Sequence, residues 1–356
     1  MARTLQFGLF LLVTLTIVGS IHGYFWLRLV RDPAWPAPWR QGGGLLLLGL
    51  ALCMPLAAVV GRLLPFAITR WVVLLPFVWM GTMLLLLVFV AGADLLRLAA
   101  WGVQLARGSE LTDSVRLLSS RWLAATALLG AVALTLVGIR SALQEPVVRH
   151  VEVQLERLPR ALDGFTIVQL SDLHLGLTLG GEWLGRTVEL SNGLHPDLVA
   201  ITGDLVDGSV VRLRQEVAAL ARLRARHGVF FVTGNHEIYS GLEDWLMELQ
   251  RLGLRVLRNE RVRIGTAEAG FALAGIDDGS TRGQPPGHGA DLTRALAGRD
   301  PQQEVVLLAH QPKAVVEAAR QGVGLVLAGH THGGQLWPWN HFVPLQQPYV
   351  AGLHRH

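Results

Sequence analysis

Four long apolar stretches within the first 145 residues constrain this chain more than any other feature. They cover residues 5–27, 43–60, 71–93 and 122–143, each near the roughly 20 residues a helix needs to cross a hydrocarbon core. No charge lies mid-span, so nothing in them reads as an ion pathway. Pro55 and Pro76 are tolerable there because neighbouring helices satisfy the backbone groups that a proline frees. Trp26, Trp35, Trp39, Trp71, Trp101 and Trp122 gather near the ends of the stretches, as interfacial aromatics do. The first stretch is long for a secretory leader and has no clear small-x-small cleavage site, so it reads as a span. Residues 95–121 are amphipathic and mixed in charge, and read as an interfacial segment. Residues 1–145 are therefore expected to form an all-α anchor of about four transmembrane helices, with residues 146–356 as a second domain.

Charge divides at the same place. Residues 1–150 hold 12 Arg against five acidic residues, whereas the remainder holds 19 basic and 22 acidic residues. The net charge of +4 thus comes from arginines dispersed between apolar runs, which is no nucleic-acid-binding face. A hydrophobic content of 51% excludes disorder. The single cysteine, Cys53, excludes an intrachain disulfide framework and a cysteine-based zinc site. With four crossings, the second half shares a side with Arg3, Arg62, Arg70, Arg140 and Arg149, against seven arginines opposite. The positive-inside rule then favours an extracytoplasmic second half on a multi-pass membrane protein. The near-exclusive use of Arg over Lys, with abundant Ala, Leu and Gly, points to a bacterial genome and so to a bacterial cytoplasmic (inner) membrane.

After Glu145-Pro146 the texture changes to short apolar runs alternating with helical patterns. Strands are expected at 151–155, 165–170, 198–201, 229–232, 255–257, 271–274, 305–308 and 324–327. Helices are expected near 182–192, 212–226, 242–252, 291–296 and 314–321. That alternation is an α/β layered domain with much parallel sheet.

Where the strands end matters most. The run at 165–170 leads into Ser171-Asp172-Leu173-His174, and the run at 198–201 into Gly203-Asp204-Leu205-Val206-Asp207. The next runs lead into Gly234-Asn235-His236-Glu237, into His310, and into Gly329-His330-Thr331-His332-Gly333-Gly334-Gln335. Loops at the carboxyl ends of strands form one rim, so these clusters should converge. The rim then offers Asp172, His174, Asp204, Asn235, His310, His330 and His332. This oxygen and nitrogen set is too large for one tetrahedral zinc and suits two divalent ions with a carboxylate between them. Either i, i+2 pair can serve one site only if its backbone bends.

These five motifs resemble the calcineurin-like metallophosphoesterase family, over roughly residues 146–352, and most closely its membrane-anchored bacterial branch. The resemblance implies a layered β-sandwich flanked by helices (α-β-β-α). It implies one metal on Asp172, His174, Asp204 and His332, and a second on Asp204, Asn235, His310 and His330, with Asp204 bridging. Mn, Zn and Fe all suit such ligands. In the family's chemistry the ion pair lowers the pKa of a bridging water, and the hydroxide attacks a phosphomonoester, diester or pyrophosphate. His236 would act on the phosphoryl or leaving oxygen as acid or charge stabiliser, and Asp207 would orient it. Glu237 reads as a carboxylate at a helix N-terminus, outside the catalytic set.

Departures narrow the substrate. Family protein phosphatases carry arginines where this chain has Gly208 and Thr233, so phosphoprotein is not the expected substrate. A membrane tether makes a lipid-linked or envelope phosphoester one class to test, with phosphoester hydrolysis of unspecified substrate as the general reading. UDP-diacylglucosamine pyrophosphate is an alternative, although its cleavage is a cytoplasmic-face task. A non-catalytic membrane receptor or scaffold that keeps the metal domain is the non-enzymatic alternative. Members of the branch usually continue past the segment matching 349–353, so a clipped sequence or a sheet short of its last strand is expected here.

Overall fold

Continuous apolar sequence leaves backbone polar groups no partner but one another, and the front of the chain is accordingly almost all helix. A computed structural model describes residues 2–64, 66–108, 112–281 and 289–356. The chain divides into two compact units, Met1–Gln144 and Glu145–His356. In the first, α1 (Ala2–Phe25) runs on as a π-helical turn, Trp26–Arg31. It is followed by α2 (Ala37–Leu63), α3 (Phe66–Arg107) and α4 (Asp113–Leu143). All four are long and apolar enough to cross a membrane. The segment expected to lie separately at 95–121 is instead the last turns of α3 and the first of α4, while residues 109–111 fall outside the described residues. Helix α4 buries Ser120, Ala124, Ala127 and Ala131 at spacings of four, three and four, the small-residue stripe that lets helices approach closely in lipid. Polar groups between these helices find one another. Trp79 Nε1 donates to His22 Nε2 at 3.0 Å, and the hydroxyls of Thr82 and Thr135 meet at 3.0 Å.

The second unit contains two four-stranded sheets. The first, β1 (Ile167–Leu170), β2 (Leu198–Ile201), β3 (Val229–Phe231) and β4 (Arg255–Val256), is wholly parallel and in sequential order. In the second, β5 (Glu260–Gly265) is antiparallel to β6 (Gly270–Gly275), and β7 (Val305–Leu308) and β8 (Leu325–Leu327) continue in parallel. Side chains alternate across a strand, so each sheet has two apolar faces. Leu198, Ala200 and Phe230 of the first sheet pack against Phe271, Leu273, Val306 and Leu308 of the second in one core. The outer face of the second sheet, Ala272, Ala274, Val305 and Leu307, is covered by α8 (Leu292–Leu296) and α9 (Val315–Arg320). Helices α5 (Gly181–Gly193), α6 (Val210–Val217) and α7 (Asn235–Arg251) follow the strands of the first sheet and bury Leu184, Val188, Leu213, Trp245 and Leu249. This is the helix-flanked sandwich expected from the motifs.

Two local expectations fail. Residues 151–155 are not a strand: the segment carries no regular secondary structure and pairs with no strand, and Leu155 alone packs on the core. Strand β5 went unanticipated because it lies at the edge of its sheet, where only Ile264 is fully buried and Arg261 and Arg263 interrupt the apolar signal.

Candidate metal centre

Parallel strands end on the same edge, and hydrogen bonding carries the pairing past their last residues. Thr202 N donates to Leu170 O (2.9 Å), His174 N to Asp204 O (3.1 Å) and Leu175 N to Leu205 O (2.8 Å). The two sheets are tied at this rim by Gln169 Nε2, which donates to Ala328 O at 3.0 Å, while Gly329 N donates to His310 O at 2.9 Å within the second sheet. The bends required of the i, i+2 pairs are made by the backbone. Asp172, His174, Asp204, His330 and His332 have φ of 54°, 45°, 50°, 72° and 50°, a left-handed conformation that costs a non-glycine residue about 1–3 kcal/mol. Two glycines make room. A Cβ at Gly203, which has φ 87°, would meet Gly234 N at 2.6 Å and His310 Nδ1 at 2.8 Å. One at Gly329 would run into Ser171 and Asp172.

All seven residues expected as ligands lie on this rim. Ligand atoms of Asp172, His174, Asp204 and His332 lie within 4.8 Å of one another, and so do those of Asp204, His310 and His330. Asp204 belongs to both groups. Two of the ring orientations are set from behind. His310 Nδ1 donates to Thr202 O at 2.8 Å, which turns Nε2 toward Asp204 Oδ2 at 3.2 Å. Asp207 Oδ1 takes His174 Nδ1 at 3.0 Å, leaving His174 Nε2 to face His332 Nε2 at 3.0 Å. His330 Nδ1 faces His310 Nε2 at 3.1 Å. Two ring nitrogens at such a distance need a proton or a cation between them. Asn235 Oδ1 is buried with no hydrogen-bond partner, a condition rare for a buried acceptor. The donor set therefore fits divalent cations: orphaned lone pairs, paired imidazoles and one carboxylate held in common.

Electrostatics point the same way. Burial pushes the Asp204 carboxyl up, but the hydrogen bond and charge of His310 pull it down to about 2. Burial likewise disfavours the charged His310 ring, and Asp204 overrides it, raising the pKa to about 9. Asp172 is held below the usual carboxylate range, its burial outweighed by His332 and Ser171. His330 is lowered, by burial and by the neighbouring His310 charge.

His236 stands beside these groups. Its Nδ1 donates to Asp207 Oδ1 at 2.6 Å, and its backbone N–H to Asp204 Oδ1 at 2.9 Å. Asp207 thus holds two imidazoles, His174 as well as His236. Glu237 does more than sequence reasoning expected. It sits at the N-terminus of α7, wholly buried, and accepts from Gly234 N (2.7 Å), Leu205 N (2.7 Å) and Asp204 N (3.1 Å). Burial raises its pKa. It clamps the Asp204 loop to the helix that carries Asn235 and His236. The only signal for it was the Asn-His-Glu run itself. A separate cavity of about 600 Å³ lies along β5, lined by Arg258, Arg261, Arg263 and Arg294, and holds none of the rim residues.

Residues 165–334 match the model of the calcineurin-like phosphoesterase family. A "Transmembrane protein with metallophosphoesterase domain" of Danio rerio is 37% identical over 98% of this chain and 81% of its own length. The chain belongs to the calcineurin-like phosphoesterase family. The bovine protein of the same description is 42% identical over 73% of this chain and 60% of its own, and an "Uncharacterized metallophosphoesterase" of Helicobacter pylori is 36% identical over 62% and 57%. Relatives thus include animal as well as bacterial proteins, wider than the bacterial branch the motifs first suggested. The phosphoesterase domain makes the protein a hydrolase of phosphoester bonds. All nine rim residues named above as ligands or as the His236–Asp207 pair fall inside the matched span.

Proposed function

We propose that the protein is a membrane-anchored phosphohydrolase with a dinuclear metal centre. The observation that carries this is the Asp204 carboxylate, common to two groups of ligand atoms. Asp172, His174, Asp204 and His332 would hold one divalent ion, and Asp204, Asn235, His310 and His330 the other. Manganese, zinc and iron all suit this set of imidazoles, carboxylates and one amide. Such a pair of ions supplies an activated water and neutralises phosphoryl charge.

The chain's own groups do the rest. The His236 side chain is 35% exposed, open to a bound ester, and its Nδ1 proton is held on Asp207. The ring so held turns Nε2 toward the leaving oxygen, and a proton carried there passes to that oxygen as the P–O bond breaks. Asp207 acts through that ring and through His174, as a positioning residue. Glu237 keeps Asp204 and His236 in register.

Residues 1–145 serve as the anchor in this reading, and residues 146–356 as the catalytic domain. The four membrane-length helices and the names of the relatives support it, and the arginine distribution favours an extracytoplasmic domain. A tethered site meets bilayer-borne substrate at high local concentration, which favours a lipid-linked phosphoester.

Asp204→Asn tests the centre. Manganese-loaded protein hydrolyses bis(p-nitrophenyl) phosphate, and the variant loses both bound metal and turnover. Undiminished turnover in Asp204→Asn overturns the assignment.

A further inference from the structure

Between Arg320 and Arg355 the chain contains no Asp, Glu, Lys or Arg. This uncharged stretch includes the rim loop of His330 and His332 and continues as 336-LWPWNHFVPL-345. An apolar run in an α/β domain is ordinarily core, yet this one is largely on the outside. Trp339 is 42% exposed, Phe342 58% and Leu345 81%, with Trp337 exposed beside them.

The local fold explains how these side chains line up. Two successive 3-10 turns, Trp339–His341 and Val343–Leu345, carry them, with Phe342 N donating to Trp339 O at 2.8 Å and Leu345 N to Phe342 O at 3.1 Å. Side chains three apart eclipse in a 3-10 helix, so Trp339, Phe342 and Leu345 stand in one ridge. One polar neighbour turns inward instead. Gln347 is buried, donating to Gln311 Oε1 at 3.2 Å and accepting from Lys313 N at 3.0 Å. The ridge is fixed to the metal loop as well. A Cβ at Gly334, two residues beyond His332, would run into Asn340, which lies between Trp339 and His341.

We infer that this ridge is a bilayer-docking surface, seated at the headgroup level, which brings the rim of the metal centre against the lipid–water interface. Tryptophan, phenylalanine and leucine without neighbouring charge are the side chains that partition there, and tryptophan favours the interface above all. A bilayer is at hand for this chain, because α4 ends at Leu143 and Leu155 is already packed in the core of the second unit. Twelve residues of tether reach about 40 Å at most. A surface presented to water alone would have no use for four large apolar side chains in succession beside a polar site. The inference rests on the membrane-anchored reading, and it adds where on the catalytic domain the bilayer touches.

The test uses full-length protein in vesicles of phosphatidylethanolamine and phosphatidylglycerol that carry a doxyl-labelled phosphatidylcholine. In a Cys53→Ala background, an environment-sensitive fluorophore is attached at Phe342→Cys or, as the control, at Val211→Cys on α6, where the native side chain is exposed. The label at 342 is expected to be quenched by the doxyl chains and the label at 211 not. Adding Trp339→Ser and Leu345→Ser should lower the docked population at least about tenfold, since losing even one large buried apolar side chain is on that scale, while turnover of bis(p-nitrophenyl) phosphate in solution stays unchanged. Equal quenching at the two positions overturns the inference. So does shielding at 342 that follows protein density rather than doxyl content, which would assign the ridge to a second copy. Failure of the hydrolase reading would appear separately, as no turnover by the unaltered protein, with quenching still reporting on the ridge.

Discussion

The two units treat polar groups in opposite ways. In the helical unit such groups are few, and they find partners within the bundle: Asp94 accepts from Tyr24, Arg28 and Arg97, Trp79 meets His22, and Thr82 meets Thr135. Its large apolar side chains, Leu45, Trp71 and Leu129 among them, face outward. In the α/β unit the order is reversed. Leu198, Ile201 and Phe231 are fully buried, while at the strand ends imidazole nitrogens face each other and Asn235 Oδ1 has no partner. Lipid offers no hydrogen bonds, so a span must satisfy its own polar groups. A metal site must hold lone pairs in reserve, at a cost in backbone strain and desolvation. The surplus of unpaired ligand atoms is what marks the second unit as the chemical one.

The sharpest way to break this contrast is at His236. Replacing it with Ala should lower kcat on bis(p-nitrophenyl) phosphate by about 10²–10⁴, the range of a lost general acid, with metal content unchanged, since His236 is outside the ligand set. A variant of full activity would reduce the ring to a packing element.

Next in size is the response to pH after metal is removed. Asp204, with its pKa lowered to about 2, stabilises the fold above its ordinary 3.8 and loses that contribution as pH falls through about 2. His310, raised to about 9, stabilises below its ordinary 6.5 and loses that contribution as pH rises through about 9. Metal-free protein should therefore melt highest between about pH 4 and 6.5 and decline on both sides. Bound cation replaces the His310 proton, so loaded protein should keep its melting temperature through the alkaline range. Near-ultraviolet circular dichroism follows both. A metal-free melting temperature that stays level from pH 6.5 to about 9 would contradict the Asp204–His310 pairing.

The smallest effect lies in the other unit. Ala127 is buried in the small-residue stripe of α4, and Ala127→Leu should overpack it by about 1–3 kcal/mol. Detergent titration of helicity measures the loss, and turnover of the water-soluble ester should not move. If turnover falls in parallel, the helices do more than anchor.

How much was legible in the sequence varies with the range of the interaction. Strands β2 and β7 were readable to the residue, because 198-LVAI-201 and 305-VVLL-308 are wholly buried and uninterrupted. The rim was readable because each polar cluster follows its strand directly. Strand β5 was not, since its partner β6 supplies the reason it is a strand at all. Residues 151–155 misled for the converse reason: 151-VEVQL-155 alternates as a strand does, with no neighbouring strand to pair with. Glu237 was underread because two of its three bonds are to Asp204 and Leu205, more than 30 residues away.

By itself, then, the sequence determined which stretches could cross lipid, which wholly buried runs would be strands, and which residue types would stand at their ends, because run length and side-chain chemistry are local properties. Only the tertiary structure decided that Asp207 would hold two rings, that Glu237 would clamp the Asp204 loop, and that Trp339, Phe342 and Leu345 would stand outside the core. Those outcomes depend on which loops the paired sheets bring together and on the left-handed turns that aim each side chain, and neither is encoded within any one segment.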